Sequence, residues 1–288
     1  MGCDRPEGDS DAMQRLGASS NMTIILTARI LFMIQDAGAS NMEAGVEYLN
    51  TVIGMSHSKL LHHPYEVPNS SVLCSDGDMT APGHFSRPTF LFVGSVIARK
   101  GWSTLIEATN LLAVRGMDSF SVIVIGSGDQ AEEMNALVRS YKLEHQVHQL
   151  GKVAYQRLGS YYRTADVFIF PTHEDTWGLV LLEAMAFGKP VLCSINAGSK
   201  EMVSHGENGF IFDSNNPEEL ADYMARFITD PSLITRFGAR AFEAVAPYTP
   251  ARAAQALASL ARGTFRSADI KAASLLQTAS PLPEPTSD

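Results

Sequence analysis

The chain has 288 residues and is 45% apolar, enough to bury one large core or two modest ones. Its net charge of −9 argues against nucleic acid as a partner, because no basic stripe offsets the acidity. Cys3, Cys74 and Cys193 are too few and too scattered for a disulfide framework or a zinc site. We therefore expect a cytoplasmic location, with Cys193 buried as a small apolar residue.

The N-terminal part of the chain is irregular. Residues 1–21 are polar and rich in Gly, Ser and Asp, so we expect disorder there. The apolar run 22–34 contains Arg29 and is too short to span a bilayer, which leaves only peripheral membrane contact open. A helical pattern over 42–53 follows. Two prolines and several turn-forming residues then predict a linker or domain edge at 63–88.

From Thr89 onward, apolar runs alternate with helical patterns. The expected strands are 89–95, 121–127, 145–151, 166–171, 190–194 and 209–214. The expected helices are 102–115, 130–142, 155–164, 177–187, 217–229, 231–246 and 250–262. Most strands are continuous apolar runs, as expected for strands covered on both faces. This order predicts a doubly wound parallel α/β sheet, whose ligands bind beyond the carboxyl ends of the strands.

Glycines and basic residues follow the first two predicted strands. Gly94 and Ser95 precede the pair Arg99-Lys100 at a helix start, where two cations can meet a pyrophosphate. Positive charge there opposes the helix macrodipole, which favours an anion nearby, although a solvated basic pair is the alternative. Gly126 ends the second strand, either as a plain tight turn or as part of a nucleotide pocket.

The stretch 165–190 carries an acid at Asp175 and another eight positions later at Glu183. Thr176 is the expected N-cap of the helix 177–187. An acid in an otherwise apolar helix against a sheet needs solvent or a partner. Two ribose hydroxyls would satisfy Glu183, and the amides of Gly178 and Leu179 would suit a phosphate. The alternative is that Glu183 caps the helix or pairs with a lysine.

These motifs closely resemble the signature of GT-B glycosyltransferases of family 4, also described as group 1. The resemblance runs from about residue 46 to residue 265 and rests on two overlapping stretches, HQLGKVAYQRLGSYYRTADVFIFPT and ADVFIFPTHEDTWGLVLLEAMAFGKP. It implies the Rossmann-like C-terminal half of a GT-B fold at 88–265, which binds a nucleotide-sugar donor. It also implies that 22–87 is an incomplete remnant of the N-terminal acceptor domain with its linker. The Pro/Ser/Thr-rich composition near the C-terminus predicts a disordered tail at 266–288.

The resemblance also implies roles for individual residues. The family motif VG-R-x-x-x-x-KG binds the donor diphosphate, and here Ser95 stands where an Arg often does. The implied catalytic residues are Asp175 near the transferred sugar, Glu183 on the ribose, and Lys100 on the diphosphate. The implied donor-binding residues lie mostly in loops after the strands: Gly94, Ser95, Arg99, Lys100, Gly126, Gly151, Lys152, Val153, Glu174, Asp175, Trp177, Gly178, Leu179, Glu183 and Gly198.

Two hypotheses of function follow from the resemblance. In the first, the chain is a retaining, metal-independent glycosyltransferase that is truncated or needs a partner chain, because only about 85 residues precede the first donor-domain strand. It would need no cofactor, since the nucleotide sugar is its substrate. In the second, it is a non-catalytic nucleotide-sugar-binding module or an inactive fragment.

Overall fold

The computed structural model describes residues 38–40, 42–56, 60–62, 67, 73 and 83–261. The predictions for 1–21, 22–34, 266–288 and most of 63–88 lie outside these residues. The described residues fall into two compact units, one within Met1–Pro64 and Ala253–Asp288 and the other within Tyr65–Arg252.

The first unit contains a small parallel strand pair with a helix between its two strands, together with most of the last helix of the chain. Strand β1 (Gly38–Ser40) pairs in parallel with β2 (Leu60–His62), and helix α1 (Glu43–Thr51) follows β1. The helix confirms the pattern predicted at 42–53. The Ser40 hydroxyl accepts a hydrogen bond from the Met42 amide at 3.2 Å, a local bond of the kind that starts helices.

The second unit is built on a six-stranded sheet in which every paired strand is parallel. Its strands are β3 (Thr89–Val93), β4 (Ser121–Ile125), β5 (Val147–Gly151), β6 (Val167–Phe170), β7 (Val191–Ser194) and β8 (Gly209–Phe212). All six strands were predicted, and each predicted range is one or two residues longer than the observed strand. The spatial order β5-β4-β3-β6-β7-β8 confirms the doubly wound α/β sheet.

The helices also follow the predicted order. They are α2 (Trp102–Val114), α3 (Ala131–Ser140), α4 (Leu158–Thr164), α5 (Leu179–Ala186), α6 (Pro217–Thr229), α7 (Ser232–Val245) and α8 (Pro250–Ala261). The segment predicted as a helix at 155–164 begins with a short 3₁₀ helix, Tyr155–Arg157. Across the described part of the chain, no helix has the length and apolar character needed to cross a membrane.

Burial on both faces explains the continuous apolar sequence of the strands. Every residue of β3, β4, β6 and β7 is buried. Cys193 in β7 is completely buried, and burial raises the pKa of its thiol far above the ordinary value, which confirms its expected role as a small core residue. At the opposite end of the sheet, the buried Asp166 accepts from the Thr89 amide at 2.7 Å and pairs with Arg87.

The direction of winding reverses between β3 and β6. The chain first winds outward from β3 through β4 to β5, returns to the other side of β3, and winds outward again from β6. The pairs Phe90–Val167 and Leu91–Phe168 hold β3 and β6 side by side. The connections after these two strands leave in opposite directions, and in sheets of this kind ligands bind at the carboxyl ends of such a strand pair.

Candidate functional site

Backbone hydrogen bonds join the loops after β3, β4 and β5. The Gly94 amide donates to the Ile125 carbonyl at 2.9 Å, and the Gly126 amide donates to the Gly151 carbonyl at 2.8 Å. These three loop starts, which we call the glycine row (Gly94, Gly126 and Gly151), therefore lie side by side. Three predicted donor-binding positions are brought together at one edge of the sheet.

Gly126 is required by this close approach. It has a φ of 139°, and a Cβ at this position would lie 1.8 Å from the Gly94 carbonyl oxygen. A Cβ on Gly128 would likewise lie 2.1 Å from the Val96 carbonyl oxygen. The glycines thus allow the β4 turn to pack against the loop after β3, as the tight-turn interpretation predicted. A role for Gly126 in a nucleotide pocket stays a prediction.

The predicted cations after β3 meet the predicted acids after β6. The Arg99 guanidinium donates to the Glu174 carbonyl oxygen at 2.7 Å, and the His173 amide donates to the Arg99 carbonyl oxygen at 2.9 Å. Lys100 forms an ion pair with Asp175, and its ammonium lies 5.7 Å from the centre of the Phe170 ring. The two cations and the two acids therefore lie together at the carboxyl ends of β3 and β6, where the winding reverses.

The Lys100–Asp175 pair is held from several sides. The two side chains are only 18% and 14% exposed, so their attraction is screened less than that of a surface pair. The second oxygen of Asp175 accepts from the Trp177 amide at 3.2 Å. The buried Thr172 hydroxyl lies 3.0 Å from the Arg99 carbonyl oxygen and 2.9 Å from that of Glu174, which fixes the loop spacing.

The loop after β7 is hydrogen-bonded to the loop after β6 that carries Asp175. The Gly198 amide donates to the Asp175 carbonyl at 2.9 Å, and the Ser199 amide donates to the Trp177 carbonyl at 3.0 Å. A Cβ on Gly198 would lie 1.8 Å from the Thr176 carbonyl oxygen. Gly198 therefore lets this loop pack against the loop that carries Asp175.

The prediction that Thr176 is the N-cap of α5 is wrong. Gly178 is the N-cap, with a φ of 94°, and Thr176 is exposed. A Cβ at Gly178 would lie 2.4 Å from the Phe170 ring, so the chain can enter the helix over that ring only through a glycine. No side chain caps this end of α5, which leaves the predicted phosphate position at Gly178 and Leu179 without a competing cap.

Glu183 is satisfied by tyrosine hydroxyl groups. It is only 3% exposed, Tyr155 donates to its Oε1 at 2.9 Å, and Tyr162 donates to its Oε2 at 2.7 Å. The alternative of pairing with a lysine is therefore wrong. The acid was expected to need solvent or a partner, and in this structure two tyrosine hydroxyl groups are its partners. The role of Glu183 on a ribose stays a prediction.

The two tyrosines stay protonated at neutral pH. Burial, followed by the Glu183 charge, raises the pKa of Tyr155 to about 12 and the pKa of Tyr162 well above its ordinary value. Sequence analysis missed both partners, which lie 28 and 21 residues before the acid. Their own spacing of seven, about two helical turns, was the one available signal.

The remaining predicted residues lie around this edge. Ser95 and Lys152 are exposed, Val153 is half-buried, Trp177 is buried, and Leu179 is 43% exposed. Their donor-binding roles stay predictions.

A doubly wound parallel sheet with polar loops at its winding reversal defines an α/β protein of the type in which ligands commonly bind at that edge. Residues 82–244, more than half of the chain, match the family described as "Glycosyl transferases group 1". The chain belongs to this family, as the resemblance implied.

Among curated proteins, this chain is similar to the 2-deoxystreptamine N-acetyl-D-glucosaminyltransferase of Niallia circulans. The two are 27% identical over 185 residues, which cover 64% of this chain and 45% of the relative. The chain spans less than half the length of the first curated relatives it matches.

Two solved structures illustrate the likeness in fold. The C-terminal domain of a group 1 glycosyl transferase from Francisella tularensis has a TM-score of 0.52 at 22% identity, covering 65% of this chain and 96% of that domain. An Anabaena protein in complex with UDP has a TM-score of 0.62 at 20% identity, covering 78% of this chain and 64% of the other. These likenesses confirm the expected GT-B type of fold.

Proposed function

We propose that this chain binds a nucleoside diphosphate sugar and serves as the donor half of a glycosyltransferase. The observation that carries the proposal is the meeting of Lys100 and Asp175 at the winding reversal of the sheet, beside the uncapped start of α5. Family membership supports a sugar nucleotide as the ligand. The UDP held by the Anabaena structure supports the same class of ligand by analogy.

The leaving diphosphate is the group that this site is best suited to stabilise. Negative charge develops on it as the bond to the sugar breaks, and fixed donors aimed at that charge lower the barrier. Lys100 supplies a point charge, Arg99 lies beside it, and the amides at the start of α5 add partial positive charge. We propose that these groups stabilise the leaving diphosphate without a bound metal, and that the reaction needs no cofactor.

The two acids are assigned different positions on the donor. Asp175 is held by Lys100 and by the Trp177 amide at the winding reversal, so we assign it to the transferred sugar. Glu183 lies in the second turn of α5, and we assign it to the ribose hydroxyls. Transfer with retention of anomeric configuration belongs to the same proposal.

The acceptor is assigned to residues outside the donor half. The curated relatives are more than twice as long as the part this chain matches, and the likeness covers nearly all of an isolated C-terminal domain. We propose that a further domain or a partner chain supplies the second wall of the cleft.

The test begins with calorimetric titration of the purified chain with UDP, GDP and ADP. Saturable binding of one of them is expected, and failure of all three to bind contradicts the proposal.

The chain is then incubated with the corresponding nucleotide sugars, with and without EDTA, and free nucleotide and sugar are measured. Release of nucleotide or transfer of the sugar that continues in the presence of EDTA supports a metal-independent transferase. Binding without turnover, even with a candidate acceptor domain, favours the non-catalytic binding module.

A further inference from the structure

We propose that Tyr155 is a further specificity-determining residue. Its hydroxyl occupies the place on Glu183 that the ribose of a donor takes, so a ligand must bring its own hydroxyl groups to displace it. This inference rests on the proposed function, because it concerns how a nucleotide gains access to Glu183.

The burial of Glu183 is the first step. The carboxylate is 3% exposed, and each of its oxygens already accepts a hydrogen bond from a tyrosine. A ligand hydroxyl needs to come within about 3 Å of one of these oxygens to bond with it. A carboxylate oxygen can accept a second hydrogen bond, but Glu183 is almost fully covered, so a ribose reaches it only when a covering side chain such as one of the two tyrosines moves.

The surroundings of the two tyrosines decide which one moves. Tyr162 is completely buried, stacks on Phe187 with ring centres 5.4 Å apart, and packs at 6.0 Å against Phe168. Tyr155 is 41% exposed and lies in a three-residue 3₁₀ helix that follows the exposed Ala154. Exposed side chains change rotamer readily, whereas a packed interior resists it. Tyr155 is therefore the exchangeable partner, and Tyr162 keeps the acid in place.

The exchange favours a particular class of ligand. When a ribose hydroxyl replaces the phenol, Glu183 keeps the same number of hydrogen bonds, so the net cost is small. A ligand without such a hydroxyl would leave a buried carboxylate oxygen without its donor, which is unfavourable. A ribonucleoside diphosphate meets this condition, whereas pyrophosphate has no reason to displace Tyr155.

The experiment compares the parent chain with Tyr155→Phe by calorimetric titration. The variant keeps the ring but removes the competing donor. We expect it to bind the preferred nucleoside diphosphate about tenfold more tightly, equivalent to about 1.4 kcal/mol. Pyrophosphate should bind both proteins equally, because it does not reach Glu183. Tyr141→Phe, which alters another exposed tyrosine, should match the parent.

The outcomes separate this inference from the proposed function. Tighter nucleotide binding that disappears when Glu183→Gln is added to Tyr155→Phe supports the exchange. Equal or weaker nucleotide binding by Tyr155→Phe overturns it, as does an equal gain for pyrophosphate, and both leave the proposed function standing. Absence of nucleotide binding in the parent and the variant overturns both ideas. Binding by the variant alone supports both.

Discussion

At the scale of single residues, Glu183 shows how a carboxylate can be kept inside an apolar layer. Hydrogen bonds from two neutral phenols stabilise its carboxylate, and hydrogen bonds to a charged group are stronger than those between neutral groups. Hydroxyl donors of this kind can be exchanged for those of a ligand. A lysine partner would have made such an exchange much more costly.

Replacing Glu183 tests its role on the nucleotide. We expect Glu183→Gln to lower nucleoside diphosphate affinity by at least about tenfold, because a neutral amide accepts ribose hydroxyls less strongly than a carboxylate does. Calorimetric titration measures the affinity, and urea unfolding checks the fold. The matched control is Glu107→Gln, an exposed change on α2. Undiminished affinity would show that Glu183 serves packing only.

Lys100 and Arg99 are expected to differ in their effect on the diphosphate. Lys100 is largely enclosed and its charge is directed at Asp175, whereas Arg99 is exposed and donates to a backbone carbonyl. Lys100→Ala should therefore weaken nucleoside diphosphate binding more than Arg99→Ala does, in dissociation constants measured side by side. Arg139→Ala on α3, part of an exposed ion pair, is the control. The same affinity in all three variants would contradict the assignment.

At the scale of secondary structure, the sequence predicts the elements well because burial leaves a direct trace in it. The strands of the second unit are read from apolar runs, and the helices from their periodicity and end signals. The predicted start of α5 was two residues too early, because Thr176 was taken as the N-cap. The real constraint is the Phe170 ring, which contacts the chain only after folding and forces a glycine at 178.

The sequence predicted the loop residues of the candidate site, but not the side chains that contact Glu183. Family motifs gave the residues that follow each strand, and the topology then explains why residues 99–100 meet residues 174–175. The tyrosine partners of Glu183 were not predictable in this way. Tyr155 lies in the 3₁₀ helix and Tyr162 in α4, so these contacts depend on how both pack against α5. The spacing of seven between the tyrosines does not by itself specify that packing.

The close contacts of the β4 turn predict the effect of one substitution. Gly126→Ala combines a φ of 139° with a 1.8 Å approach to a backbone oxygen, so we expect a loss of about 3 kcal/mol or more in the free energy of unfolding. Gly116→Ala is the matched control, because φ is also positive there but a Cβ meets nothing within 4 Å. It should cost only about 1–2 kcal/mol. Equal losses in urea unfolding would contradict this account.

At the scale of the whole molecule, the net charge of −9 would oppose the binding of the proposed anionic donor. The site must therefore overcome the average field of the chain with local positive charge at Arg99, Lys100 and the start of α5. Local attraction of this kind operates over short distances. At physiological ionic strength, salt largely screens interactions between exposed charges that are more than about 8 Å apart.

Ligand binding should stabilise the second unit as a whole. A nucleoside diphosphate present at about 100 times its dissociation constant is expected to add about 2.7 kcal/mol to the stability of the state that binds it. Thermal unfolding with and without the nucleotide measures this gain as a higher Tm. The Lys100→Ala variant at the same ligand concentration should gain less. A Tm that does not respond to saturating nucleotide would count against binding by the folded unit.

The glycine row has a consequence for how donor preference can change. Main-chain hydrogen bonds link the starts of three successive loops, and these bonds do not use the side chains at 95, 127 and 152. Variation at those positions can then alter which base or sugar is preferred while the scaffold stays in register. In the proposed function, architecture would then rest on the main chain of the glycines, and recognition on the side chains that follow them.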